Sequence, residues 1–156
     1  MLSPEVIEHQ KFMQEALEQA RKALEKNEVP VGAVLVQKGK IIARAHNLVR
    51  TQKDPTAHAE ILVLRRGARR LTNERLNNTS LYVTVEPCAM CGGAMVWARV
   101  KKLIYGTKDP KAGAAGSVVN VVQNPRLNHR LEVLGGVVEE DCRKLMESFF
   151  RQRRGK

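Results

Sequence analysis

The stretch TVEPCAMCGGAM, residues 84–95, constrains this chain more than any other. Cys88 and Cys91 stand three apart, directly after the β-branched run LYVTV (81–85) and directly before an apolar run that reads as a helix to about Arg99. A Cys-x-x-Cys pair at a strand-to-helix junction suits three chemistries: a redox dithiol, half of a closed structural zinc site, or two ligands of a working metal. Both sulfurs fall in a first helical turn, where free N–H groups and the helix dipole favour thiolate over thiol.

Three cysteines is an odd count, and MLSPEVIEHQ has no basic flank followed by an apolar run. No secretory signal and no disulfide framework are therefore expected, and the reducing cytoplasm is the expected compartment. The longest apolar runs, such as VGAVLV, are far too short to span a bilayer, so no membrane role is expected. At 156 residues and 43% hydrophobic content, with no repeat, linker or low-complexity tract, residues 1–156 read as one domain. Twenty-seven Lys and Arg against 16 acids give +11, concentrated in RRGARR (65–70), RVKK (99–102) and RQRRGK (151–156). Such a surface attracts polyanions, nucleic acid first among them; a solvated basic surface on an ordinary enzyme is the alternative.

Residues 3–27 read as an opening helix with Ser3 as cap and Pro4 in its first turn. VPVGAVLV and KIIARAHN flank QKGK as a hairpin, and a loop, LVRTQKDP, leads to a helix over about 57–71 that Thr56 can cap. LYVTV is a strand, 88–99 a helix and KKLIYG a strand. A glycine-bearing loop, KAGAAGS, precedes a weak strand at LEVLG and a C-terminal helix over about 139–153. That loop lacks the Gly-Lys-Ser/Thr ending of a phosphate-binding loop. The order α-β-β-α-β-α-β-β-α predicts an α/β fold, a sheet of about five strands with helices on both faces and parallel pairing after the hairpin.

The second clue is TAHAEI, residues 56–61, which puts His58 and Glu60 at the start of the preceding helix. Crossover connections bring the starts of successive helices to one sheet edge, so His58, Cys88 and Cys91 can converge there. An imidazole and two thiolates are ligands zinc prefers, and three of them leave a coordination position open, as a catalytic zinc requires. Cys142, His9, His46 and His129 are the other candidate ligands, but none has ligand spacing to the rest, and Cys142 reads as a small core residue. Glu60, beside the histidine, is the candidate proton carrier for a metal-activated water.

His-x-Glu followed by Pro-Cys-x-x-Cys is the signature of the zinc-dependent nucleobase deaminases. The blocks EVPVGAVLV, DPTAHAEI, LYVTVEPCAMC, GAAGS, NHR and FFRQRR extend the likeness over nearly the whole chain. Together they resemble the bacterial tRNA adenosine deaminases of the zinc cytidine/deoxycytidylate deaminase superfamily. That resemblance implies a three-layer α/β/α fold with a central five-stranded mixed sheet, and one Zn2+ per subunit on His58, Cys88 and Cys91. It implies that activated water attacks C6 of the wobble adenine in a tRNA anticodon stem-loop while Glu60 protonates N1 and passes a proton to the departing ammonia, leaving inosine. Asn47 resembles the residue that holds the target nucleotide, and Pro87 the proline whose neighbouring backbone lines the pocket. Asp109, Lys111, Asn128, His129, Arg130, Phe149, Phe150, Arg153 and Arg154 fall in blocks that the resemblance assigns to RNA. Of the adjacent Phe149 and Phe150, one is expected in the core and one exposed. A homodimer in which each subunit helps shape its partner's RNA site is implied as well.

Competing readings remain at the level of the residues alone. A deaminase of free nucleobases or nucleosides needs neither +11 nor a basic terminal helix, and a non-catalytic RNA-binding protein would use zinc only structurally. A thiol redox protein would cycle a Cys88–Cys91 disulfide.

Overall fold

Ser3 starts the first helix as its sequence implies: its hydroxyl accepts the Val6 N–H at 3.2 Å, and Pro4 occupies the first turn. A computed structural model describes residues 1–154, the side chain of Arg154 excepted, so that expected RNA contact lies outside the described residues. The elements are α1 (Pro4–Glu25), β1 (Gly32–Gln37), β2 (Lys40–His46), α2 (Val49–Gln52), α3 (Ala59–Leu71), β3 (Thr79–Val85), α4 (Ala89–Ala98), β4 (Lys102–Thr107), β5 (Glu132–Leu134) and α5 (Glu139–Arg154). Among the described residues no helix is long and apolar enough to cross a membrane.

The sheet order is β2-β1-β3-β4-β5. β1 is antiparallel to both β2 and β3, while β3, β4 and β5 are mutually parallel. The expected parallel pairing thus begins at β3–β4, because the α3 crossover carries β3 past β2 to the far side of β1. Four of the five strands nonetheless run the same way.

Alternation along the strands sorts the core into two layers, as period-2 side chains must. On one face Val34, Tyr82 and Ile104 pack with Phe12, Met13 and Leu17 of α1 and Cys142 of α5. On the other, Leu35, Leu81, Val83 and Leu103 pack with Leu62 and Val63 of α3 and Met95 and Val96 of α4. The result is a three-layer α/β/α fold around a five-stranded mixed sheet. Gly32 permits the close approach of α1, since a Cβ there would lie 2.0 Å from the Ala16 carbonyl oxygen.

Two local departures from the sequence reading bear on the site. Thr56 does not cap α3: its hydroxyl and N–H both donate to Asp54 Oδ1, at 2.7 and 2.8 Å. This Asx turn captures the hydroxyl, and α3 starts two residues later with His58 as its N-cap. The expected loop LVRTQKDP also contains the single turn α2, built on a residue that sequence reading passed over. Glu28 is fully buried and accepts the N–H groups of Arg50 (3.1 Å) and Thr51 (2.6 Å) and the Thr51 hydroxyl (2.7 Å). Burial opposes its charge, but those hydrogen bonds hold its carboxyl below the usual carboxylate range.

Glu86 plays the same part for the loop after β4. Its carboxylate, 3% exposed, accepts the N–H groups of Asp109 (3.1 Å), Ala115 (2.9 Å) and Ser117 (3.1 Å), together with the Ser117 hydroxyl. Gly113 is required beside it, because a Cβ there would sit 2.4 Å from the carboxylate carbon. Removing this acceptor leaves buried donors unsatisfied, at about 1–3 kcal/mol each. Glu86→Ala should therefore accelerate amide exchange across residues 108–117 about tenfold or more, with little change in α1; unaltered protection would show that the loop is held otherwise.

His46 is buried with Gln19 Oε1 at 3.0 Å from Nδ1 and Lys26 Nζ at 2.9 Å from Nε2. A lysine ammonium can only donate, so Nε2 is the acceptor and Nδ1 carries the proton toward Gln19. Burial, reinforced by the Lys26 and Arg66 charges, pushes the imidazole pKa from 6.5 to about 4. The unfolded chain binds this proton near pH 6.5, whereas the folded chain binds it only near 4. The contribution is complete above about 6.5 and fades as pH falls toward about 4. Denaturant unfolding at about pH 7.5 and about pH 4.5 should show roughly 2 kcal/mol more acid loss in the wild type than in His46→Gln.

Candidate metal centre and its pocket

His58 and Cys88 are the N-cap residues of α3 and α4, and neither side chain makes a cap hydrogen bond. Both instead turn toward each other across the sheet edge. His58 Nδ1 lies 3.7 Å from Cys88 Sγ and 3.4 Å from Cys91 Sγ, and the three ligand atoms all fall within 4.8 Å of one another. A tetrahedral zinc with ordinary Zn–S and Zn–N bonds separates a sulfur and a nitrogen ligand by about 3.6 Å, so these residues fit that ion.

The three groups of the cluster are electrostatically coupled. Hydrogen bonds from Cys91 and His58 hold the Cys88 thiol down at about 3, so this sulfur is anionic. The same bond to Cys88, with burial, pushes the Cys91 thiol up, and the Cys88 hydrogen bond raises His58. The other candidate ligands are occupied elsewhere. His9 pairs with the Tyr82 hydroxyl at 2.6 Å, His129 bonds the Val100 carbonyl at 2.6 Å, and His46 is held as described. Cys142 is 1% exposed in the α1–α5 layer. Among the described residues, the metal-ligand cluster is His58, Cys88 and Cys91.

Glu60 follows in the first turn of α3, 4% exposed and within hydrogen-bonding reach of Cys91. Burial raises its pKa to about 7, so the carboxyl can both hold and release a proton near neutrality. Glu60, His58 and Cys88 line a cavity of about 360 Å3 whose walls also include Asn47, Asp109 and Phe150. Asn47 makes a turn at the cavity wall. Its Oδ1 accepts the Val49 N–H (3.2 Å) in an Asx turn and its Nδ2 donates to the Val29 carbonyl (3.3 Å), while the residue lines the cavity. Pro87 is buried, and its carbonyl accepts the Ala114 N–H at 2.8 Å, tying the metal segment to the following loop.

Asp109 caps its own loop through the Lys111 and Ala112 N–H groups (3.0 and 3.2 Å). Lys111 is exposed and lines a second cavity, of about 610 Å3, that shares Phe150 with the first. The two phenylalanines divide as expected: Phe149 is 5% exposed and Phe150 44%. The exposed Arg153 lies with its guanidinium 5.3 Å above the Phe149 ring. Asn128, His129 and Arg130 stand apart from all of these. Asn128 and Arg130 are exposed, and His129 is anchored to Val100, before the first residue of β4, whereas the metal cluster lies beyond the last residues of β3. Glu28 and Glu86, absent from the sequence reading, form part of the first cavity's wall.

Residues 7–154 match the MafB19-like deaminase family. The tRNA-specific adenosine deaminase of Bacillus subtilis is 50% identical over 145 residues, 93% of this chain and 90% of that protein. The Haemophilus influenzae enzyme of the same name is 49% identical over 146 residues, 93% of this chain and 84% of its own. A structure solved in a study of A-to-I editing by tRNA deaminases at the wobble position of transfer RNA superposes with a TM-score of 0.84. It is 46% identical, covering 86% of this chain and 98% of that one. A guanine deaminase from Bacillus subtilis is more distant, with 37% identity and a TM-score of 0.63 over 74% of this chain and 71% of its own. With half its residues shared over nearly its full length, the chain belongs to the tRNA-specific adenosine deaminase family.

Proposed function

We propose that this chain converts the wobble adenosine of a tRNA anticodon loop to inosine by hydrolysis, holding one Zn2+ per subunit on His58 Nδ1, Cys88 Sγ and Cys91 Sγ. The observation that carries the proposal is the convergence of a three-ligand cluster and a buried carboxylic acid, Glu60, on one cavity of about 360 Å3. When bound, zinc supplies the Lewis acidity that makes water a nucleophile at neutral pH. Glu60 takes a first proton from that water and delivers it to adenine N1, then takes the proton of the new C6 hydroxyl and passes it to the leaving amine. Adenosine and water thus give inosine and ammonia. Asn47 and the backbone around Pro87 hold the nucleotide. Asp109, Lys111, Phe150 and Arg153 grip the surrounding loop, with the half-exposed Phe150 as the stacking surface for an unstacked base, whereas the RNA role expected of Phe149 is corrected by its burial beneath Arg153. A single-stranded loop suits such a site because its bases leave the stack at low cost. The similarity to a guanine deaminase favours free-base deamination as a second reading, against which the +11 charge counts. The cytoplasm, where tRNA is found, belongs to the same proposal.

The surface of α4 supports a homodimer. Trp97 is 79% and Met90 37% exposed, Gly93 between them faces open space, and the three fall on one stripe of the helix. A large exposed aromatic in such a stripe is an association surface. Twofold pairing presents the same patch on both chains. If the two α4 helices run antiparallel, the Val100 end of one meets the Cys88 end of the other. Asn128, His129 and Arg130, tied to Val100, then come to the partner's RNA site rather than their own.

Incubation with an anticodon stem-loop, followed by inosine detection and metal analysis, tests the reading. Glu60→Ala should keep its zinc and lose activity by about 10²–10⁴-fold or more, whereas Cys91→Ala should lose the metal itself. Inosine formation by Glu60→Ala at the wild-type rate overturns the assignment, and turnover of free bases in preference to the stem-loop favours the second reading. Trp97→Glu should shift the sedimentation of the protein from dimer to monomer; an unchanged profile removes α4 from the interface.

A further inference from the structure

A third cavity, of about 680 Å3, lies between the end of α1, the turn α2 and the C-terminal part of α5. It shares one wall residue, Arg50, with the cavity of the metal centre, and none with the Lys111 cavity. The three cavities therefore form a row, with the metal centre in the middle. The walls of the outer cavity are polar and cationic: Lys26, Arg50 and Arg153, with Thr51 and Gln152, over the buried ring of Phe149.

Among the described residues no carboxylate lines this groove, although one lies directly behind it. Glu28 is fully buried, and its oxygens are taken by the Arg50 and Thr51 N–H groups and the Thr51 hydroxyl. Its charge is spent on holding the backbone of α2, so the side chain of Arg50 projects from a fixed base and donates to the Asn27 carbonyl at 3.3 Å. Arg153 is steadied over Phe149, and Lys26 over His46 Nε2. None of the three cations forms an ion pair with a carboxylate among the described residues. Three anchored cations without an ion-pair partner, in a groove that shares Arg50 with the cavity for the target base, suit the phosphates of a single strand that enters there.

We infer that Lys26, Arg50 and Arg153 form a phosphate-binding track that carries the RNA backbone away from the target nucleotide on the α1–α2 side. The inference rests on the RNA reading above and adds to it the direction in which the strand leaves. Asn27, Thr51 and Gln152 add neutral hydrogen-bonding groups to the same groove.

The test uses zinc-loaded, full-length protein and an anticodon stem-loop, with binding followed by fluorescence anisotropy across a salt series. Arg50→Ala should reduce the magnitude of the slope of log affinity against log salt by about 0.7, the value for one phosphate contact to a single strand, and Arg50→Lys should restore it. Replacing single phosphates beside the target nucleotide with neutral methylphosphonates should reveal one that weakens wild-type binding but not Arg50→Ala binding. An unchanged slope, or no phosphate whose neutralisation couples to Arg50, overturns the track. The RNA reading fails separately: it falls if the wild-type protein makes no inosine in the same stem-loop, and it stands if inosine forms while Arg50→Ala binds with an unaltered slope.

Discussion

Because β1 runs against both β2 and β3, the chain leaves β2 and β3 at the same edge of the sheet, and the helices that follow start there. Every part of the metal centre depends on that shared direction. Helix starts ordinarily carry Ser, Thr, Asp or Asn, whose side chains satisfy the first free N–H groups. Here the N-cap positions hold His58 and Cys88, and neither side chain makes a cap hydrogen bond. The loss of a side-chain cap costs about 1 kcal/mol per helix. What it gives is two ligands aimed at one point, and a positive helix end beside the anionic sulfur of Cys88.

The neighbouring loops need equal precision, and they lack regular structure to supply it. Two buried glutamates provide it from behind. Glu28 gathers the backbone of α2, which carries Arg50 and adjoins Asn47; Glu86 gathers residues 109–117, which carry Asp109 and Lys111. A buried carboxylate is tolerated when several donors saturate it, and both of these are held ionised by their partners against the effect of burial. Glu60 has no comparable set of donors, and burial raises its pKa instead. Three buried glutamates on one cavity thus divide into two that fix loops and one able to exchange a proton.

This division explains what could be read from the sequence and what could not. The cluster of His58, Cys88 and Cys91 was legible because its residues sit at junctions that hydrophobic periodicity locates: LYVTV must end before Cys88, and the helix that opens in TAHAEI must begin near His58. The element order and the layers followed from the same alternation. Glu28 and Glu86 were not legible, since their partners lie 22–31 residues away and nothing in EVPVG or VEPC announces an acceptor. The start of α3 was missed by two residues because Asp54 competes for the Thr56 hydroxyl, a contest that spacing alone does not decide. The sequence placed one of Phe149 and Phe150 in the core without distinguishing them, because that depends on how α5 is rotated against β4. The NHR block was grouped by resemblance with the other RNA residues, yet within one chain it stands by Val100, beyond the opposite end of the sheet from the ligands.

The charge balance takes on a spatial meaning in this light. The 27 basic residues outnumber the acids overall, but what an approaching phosphate meets depends on which acids remain at the surface. Around the central cavity, Glu28 and Glu86 spend their charge on backbone donors and Glu60 is buried, while Asp109 is occupied by the N–H groups of its own loop. Lys26, Arg50, Lys111 and Arg153 stay exposed around them. Compensated inner charges project little beyond a screening length of about 8–10 Å, whereas exposed cations at the rim act directly on a polyanion. The same glutamates that hold the loops in place therefore also clear the mouth of the site of negative charge. A strand of RNA can then approach a cavity that holds a buried carboxylic acid with exposed cations along its rim.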